Sequence, residues 1–440
     1  MSWGNAVTGD AMYPRSRLSR VQDVSGTYGG GLSSSEGGPV AEEQTIGQRV
    51  RQFRLARGIE RAELADRLGY TVAWLKSVEI GKRQLDRFSV IAAIADALQV
   101  EVATLLGLPN ATAGDREHQR AHIAIPQLRK VLLRGYLPSR AAGVPFELED
   151  LRERVNTGHH QARHGRFGDL LTDLPRLLID IAFTAAGVEG VEHERACGML
   201  AEGLHDAALS TKKLGYIDLA TIAASQATRA AESSGDPLLM TATRWTQTEV
   251  YLAAGAVDEA HELLGFSIDD LDPMLGQGGA DVWSLWGTMH LVEATIQAQW
   301  QRRGEAAAHL VEAAAAADRV GSGRNSYMTE FGPENRALIA VQVDVEMGAG
   351  PDALQKVEGT PIDNLPKERR ARHRISRALA FSRVGDDDQA MQELLEGHQI
   401  APECVTNHPL ARDVVKTAAR RALTLSGPIA TVVNRLGVPI

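Results

Sequence analysis

Cysteine is almost missing from this chain of 440 residues, which holds only Cys197 and Cys404. The two lie far apart and fit neither a metal nor a redox spacing, so a disulfide scaffold is excluded and a reducing compartment is expected. No apolar run approaches the length of a membrane span. The first twenty residues lack the continuous apolar stretch of a signal peptide, so a cytoplasmic protein that makes no use of the membrane is expected. Catalytic signatures are missing as well. There is no GxxxxGK[ST] phosphate loop and no GxSxG elbow. His160 and His164, like His118 and His122, share the i,i+4 spacing of a helical metal pair, but neither pair has a third ligand nearby and HExxH is absent. Surface histidines are the expected answer. The acidic runs Asp269-Asp270 and Asp386-Asp387-Asp388 are expected at helix starts, where the dipole would favour them without a further role. The expectation is a non-enzyme with no metal and no cofactor. Alternating strand patterns are also nearly absent, which leaves the all-α class.

Positive charge is scarce overall, with a formal net charge of −9. Its distribution matters more. Residues 45–107 hold ten Arg/Lys and seven Asp/Glu, a net of +3, while residues 1–44 carry −2 and the remainder −10. The long acidic part would repel nucleic acid except where the small basic segment docks.

That basic segment contains five short helical patterns. Ile46, Val50 and Phe53 mark the buried stripe of the first helix, with Leu55 on its flank and Arg49, Arg51, Arg54 and Arg57 on the other faces. Gly58 ends it. Leu64, Ala65 and Leu68 face inward from the second helix, and Gly69 permits a tight turn. Thr71 can cap the third helix with its hydroxyl. Leu75 and Val78 point inward with Trp74 on the flank, which leaves Val72, Ala73, Lys76 and Ser77 facing out. Lys82 and Arg83 follow at once, where a loop would pass phosphates. Ser89, Val90, Ile94, Leu98, Val102, Leu105 and Leu106 complete the core. Two helices joined in this way place the second in the DNA major groove.

The segment resembles the lambda-repressor/Cro-like (XRE) helix–turn–helix family. The resemblance rests on Gly47, Arg49, Val50, Arg54, Arg57, Gly58, Glu63, Leu64, Ala65, Leu68, Gly69, Trp74, Leu75, Glu79, Gly81, Lys82 and Arg83, without a gap. It covers about a seventh of the chain. It implies a structural ion pair between Arg54 and Glu79, which positions the third helix more than it adds net stability. It also implies DNA contacts from Arg61, Thr71, Val72, Ala73, Lys76, Ser77, Lys82 and Arg83. Two departures stand out. The family usually opens its second helix with Ser-Gln, whose Gln holds a phosphate; here Glu60-Arg61 stands there, and Arg61 can take that phosphate. The outward face of the third helix also lacks the Arg, Gln or Asn needed for a bidentate base contact. Shape readout and dimer spacing are therefore expected to supply part of the specificity.

Elsewhere the reading is coarser. Residues 1–44, rich in Gly and Ser, read as a disordered tail. Residues 108–121 read as a linker. Residues 122–440 are helix after helix, with Pro and Gly between. Gly215, Gly255, Gly304, Gly348 and Gly385 recur at spacings of 40, 49, 44 and 37, and all but Gly304 precede an alanine by five positions: Ala220, Ala260, Ala353 and Ala390. A glycine lets antiparallel helices turn tightly and a small residue lets them pack, which are the mechanics of a degenerate helical-hairpin solenoid. It resembles tetratricopeptide-like repeats. The order of domains resembles peptide-pheromone receptors of Gram-positive bacteria and, through residues 331–348 and 409–423, actinobacterial XRE regulators of about this length.

These resemblances imply a sensing or dimerising module behind a DNA reader. Candidate residues for the concave face are Arg244, Gln247, Trp283, Trp286, His290, Asn325, Tyr327 and Asn335. Asn335 stands out because an amide can bind a peptide backbone as donor and acceptor, and the peptide receptors use asparagines so. Local packing or capping is its bland alternative, and Trp245, Trp283, Trp286 and Trp300 read mostly as core. The expected partners are double-stranded DNA, a second copy in a homodimer, and a peptide or small-molecule effector. The alternative is a protein–protein scaffold that uses the small domain for docking.

Overall fold

The computed structural model describes residues 44–109, 116–135, 144–348, 363–422, 424 and 426–438. The tail read over 1–44 lies outside these apart from Gln44, as do positions 110–115 of the stretch read as a linker. The described residues are helical, with no strand among them.

Five short helices come first: α1 (Ile46–Ala56), α2 (Arg61–Arg67), α3 (Val72–Glu79), α4 (Phe88–Leu98) and α5 (Val102–Leu106). Thr45 opens α1. Its hydroxyl accepts the Gln48 N–H at 3.2 Å while the Gln48 side chain accepts the Thr45 N–H at 2.8 Å. Two donors that a helix start leaves open are thereby satisfied. Ile46, Val50, Leu64, Leu75, Val78, Ile91, Ile94, Leu98 and Leu105 then meet in a core closed to solvent. Each such burial is worth roughly 1.5–3 kcal/mol. At Gly47 a Cβ would stand 2.1 Å from the Val78 carbonyl oxygen, so α1 and α3 touch backbone to backbone there. Gly69 makes the α2–α3 turn with φ +69°, a value that favours glycine. Phe53 and Ser89, read as core residues, are only half-buried.

Long helices follow: α6 (Arg116–Arg134), α7 (Leu148–Arg163), α8 (Phe167–Gly187), α9 (Gly190–Leu214), α10 (Ile217–Ser234), α11 (Pro237–Ala254) and α12 (Val257–Leu271). Then come α13 (Ala280–Gln299), α14 (Arg303–Val320), α15 (Pro333–Glu346), α16 (Lys367–Val384), α17 (Asp387–Ile400), α18 (Pro402–Thr406), α19 (Pro409–Arg421) and α20 (Gly427–Leu436). The stretch read as a linker to 121 is thus helical from Arg116. Two-residue links beginning at Gly215, Gly235, Gly255 and Gly385 turn one helix back on the last, each glycine in the left-handed conformation. Ala220, Ala260 and Ala390 are fully buried after three of these turns, as close packing requires. Gly304 behaves otherwise. It lies in the first turn of α14, and the left-handed residue of that link is Gln301, with φ +59°. Ala353 lies outside the described residues.

The stack also closes on itself. The Gly168 N–H donates to Glu403 at 2.8 Å, and His122 meets Asn407 at 3.0 Å. A Cβ at Gly165 would lie 2.6 Å from the Cys404 sulfur. Helices α6–α10 and α16–α20 therefore share one apolar cluster, with Phe167 and Leu171 in the same core as Val405 and Val414. The described residues belong to one compact unit.

Candidate nucleic-acid interface

The outward face of α3 is open. Thr71 caps the helix by accepting the Trp74 N–H at 3.1 Å. Val72, Ala73 and Lys76 are exposed, and Lys82 and Arg83 are exposed just beyond. The side chains of Lys76, Lys82 and Arg83 have no partner among the described residues. Ser77 is half-buried, and its hydroxyl donates to the Trp74 carbonyl at 2.6 Å, back into its own helix. Tyr70 and Trp74 stack with ring centroids 3.9 Å apart, which stiffens the turn into α3.

Behind this face lies Glu79, whose side chain is fully buried. Arg54 bonds it at 2.6 Å and Arg61 at 2.8 Å. Burial alone would raise the Glu79 carboxyl, but the hydrogen bonds and charges of Arg54 and Arg61 outweigh it and hold the group below its usual range. Arg61, read as a phosphate contact, turns its Nε and Nη2 to Glu79. Arg49 and Arg57, read only as facing outward, donate to the Leu105 carbonyl at 2.6 Å and the Gln99 carbonyl at 2.6 Å. They neutralise the carbonyl ends of α5 and α4. Much of the basic charge of this segment is therefore spent within it.

The repeat domain caps two helices of the small domain. The Asp413 carboxylate on α19 accepts the Ile46 N–H at 2.9 Å. The Glu346 carboxylate, at the end of α15, accepts the Phe88 N–H at 3.1 Å, the Ser89 N–H at 3.0 Å and the Ser89 hydroxyl. Lys416 donates to the Gln44 carbonyl at 3.1 Å and Arg420 to the Gln48 side chain at 2.8 Å, while Arg383 pairs with Asp86. Sequence reasoning missed these clamps. One signal was available: α4 begins at Arg87-Phe88 with no side-chain cap of its own.

A cavity of about 380 Å³ lies where the small domain meets the repeats. Of the eight residues read as candidates for the concave face, the structure brings Asn335 to its wall. Asn335 is buried, and its Oδ1 has no partner. The other seven do not line it. Arg244 is paired with Asp270. The Asn325 Oδ1 accepts the Glu330 N–H at 2.9 Å within its own loop. Trp286 is buried against His290, with ring centroids 4.4 Å apart. His290 meets His309 at 2.8 Å between Nδ1 atoms, and burial pushes its imidazole down to about 4. These two rings are part of the packed interior.

Residues 45–106 match a family described as a helix-turn-helix domain. Among curated proteins nothing matches the sequence. Among solved structures, the chain aligns with Bacillus thuringiensis PlcR, crystallised with the peptide PapR7 and DNA. That alignment has 11% identity and a TM-score of 0.28, covering 63% of this chain and 95% of that one. It also aligns with the TPR domain of P58(IPK) at 14% identity and a TM-score of 0.20, covering 89% of this chain and 97% of the other. Scores of this size carry no inference about this chain. No helix of the described residues is long and apolar enough to cross a membrane.

Proposed function

We propose that this chain is a sequence-specific DNA-binding regulator, acting as a dimer, whose repeat domain senses a small effector. The observation that supports it most is the open face of α3: Val72, Ala73 and Lys76 exposed, with Lys82 and Arg83 beside them. The match of residues 45–106 to a helix-turn-helix family supports the same reading. Val72 and Ala73 offer methyl contacts for thymine, and Lys76 can donate to guanine. With Ser77 bonded to its own helix, direct readout is narrow, and DNA shape supplies the rest. Two copies would set their α3 helices in successive major grooves, about one helical turn apart. No catalytic role is proposed.

A selection of genomic fragments by the purified full-length protein at near-physiological salt tests this reading. Enrichment of a few short sites with two-fold symmetry is the expected result. Retention of fragments with no shared site would overturn it and favour the scaffold reading, to which the plain outward face of α3 lends its support.

A further inference from the structure

We infer that the cavity between the small domain and the repeats binds a small amphipathic anion: an apolar body that carries one acidic head. The inference deepens the proposed effector sensing and rests on it for its regulatory meaning, but the binding itself can be tested without DNA.

The volume of about 380 Å³ lies within the range of small-molecule sites. One part of the wall is apolar. Phe88, Ile91 and Leu106 of the small domain face it from one side, and Leu291, Val292 and Ile339 of the repeats from the other. The same wall also carries charge, and its charges do not balance. Lys212 pairs with Glu249 at 2.5 Å and Lys213 with Glu368 at 2.9 Å. Glu368 must also serve Arg369 at 3.8 Å and Arg372 at 3.9 Å. Burial raises the Glu368 carboxyl, but Lys213, Arg369 and Arg372 overcome this and hold it ionised, well below the usual carboxylate range. Among the residues that line the cavity, two carboxylates stand with four cations. An excess of two positive charges in a partly shielded wall is costly unless an anion meets it.

Unpaired polar atoms add a second, independent sign. The Asn335 Oδ1, the Gln299 Oε1 and the His408 Nδ1 belong to residues of this wall, are shut off from solvent and have no partner. A buried acceptor left unmade costs about 1–3 kcal/mol. A ligand with an N–H or O–H beside its apolar body would satisfy it.

Calorimetric titration of the full chain with decanoate, decan-1-ol and decyltrimethylammonium separates head-group charge from apolar reach. Decanoate is expected to bind at least about tenfold more tightly than decan-1-ol, the worth of one charge-assisted contact. Decyltrimethylammonium is expected not to bind. The double variant Arg369→Gln, Arg372→Gln should bring decanoate to the level of the alcohol. Leu291→Trp, which fills the apolar end without touching the charges, should remove the binding of both. Equal binding of the three probes, binding of none, or decanoate binding unchanged in the double variant would overturn the inference. The wild-type series stands even if a variant fails to fold. Decanoate binding without any enriched DNA site would leave this inference standing and remove the regulator reading. Enriched sites with no probe bound would do the reverse.

Discussion

Asn335 and Glu346 stand on one face of α15, three helical turns apart, with Ile339 and Gln342 between them. Asn335, Ile339 and Gln342 wall the cavity, while Glu346 holds the N-terminus of α4. The helix that would feel a ligand is therefore the helix that clamps the small domain. A ligand that moved α15 would act on α4 through one carboxylate, a physical link between two sites rather than a matter of proximity.

The two ends of that link should differ in stability. Glu346→Ala strips the cap from α4 and is expected to cost about 1–2 kcal/mol, as lost helix caps do. Asn335→Ala removes a buried acceptor with no partner and is expected to be neutral or stabilising. Urea denaturation of both variants measures the contrast. Equal losses would mean that Glu346 is not holding α4.

Glu79 should be the costliest single position in the small domain. Removing its charge leaves Arg54, only 4% exposed, without a counter-ion. Such broken buried pairs cost about 3–5 kcal/mol. Arg61→Ala should cost about 1 kcal/mol or less, since that side chain is a third exposed and Arg54 remains. The pH dependence has a definite sign. The folded carboxyl is held below its model value of 4.5, so its contribution is complete above that pH and is lost as pH falls through the lower folded value. Glu79→Gln should flatten the acid limb of a plot of stability against pH below about 4.5. A limb as steep as that of the wild type would dissociate Glu79 from acid unfolding.

How much of this was legible depends on where the partners lie along the chain. The core of the small domain follows from spacings of three and four residues, because helix faces are local. The turn glycines of the repeats are local too, since the left-handed conformation is a property of one residue. Gln301 escaped because a non-glycine residue makes that turn. The cavity was legible only through Asn335. Lys212, Lys213, Gln299, Arg369 and Arg372 come from α9, α13 and α16, and only the closure of the stack brings them together. The same holds for Arg61. Its charge suggested a phosphate, and only the buried position of Glu79 shows that the arginine is already engaged.

The engagement of Arg61 by Glu79 gives a test on DNA. Lys82→Ala and Arg83→Ala should each weaken binding to all sequences and lower the salt slope by about one unit per lost phosphate contact. Arg61→Ala should leave the slope unchanged, because its Nε and Nη2 are bonded to Glu79. Lys76→Ala should alter sequence preference with a smaller effect on the slope. Competition binding at several salt concentrations checks all four variants. A fall of one unit with Arg61→Ala would restore that residue to the phosphate contacts.

The pair of buried His290 and half-buried His309 should make the repeat domain sensitive to mild acid. Burial lowers both imidazoles; the His309 ring helps to bring His290 down to about 4, and His261 adds to the lowering of His309. Trp286 packs on His290. Glu293, which acts on His309, is already paired with His261 at 2.9 Å. The folded state thus favours the neutral ring. Its contribution is complete above the ordinary value of 6.5 and is lost as pH falls from 6.5 toward 4. Each such group adds at most about 1.4 kcal/mol of slope per pH unit. His290→Leu should therefore lose stability less steeply than the wild type between pH 6.5 and 4, whatever its stability at neutral pH. Denaturation midpoints measured across that window decide the matter. Parallel limbs would mean that the rings accept a proton without disturbing the fold.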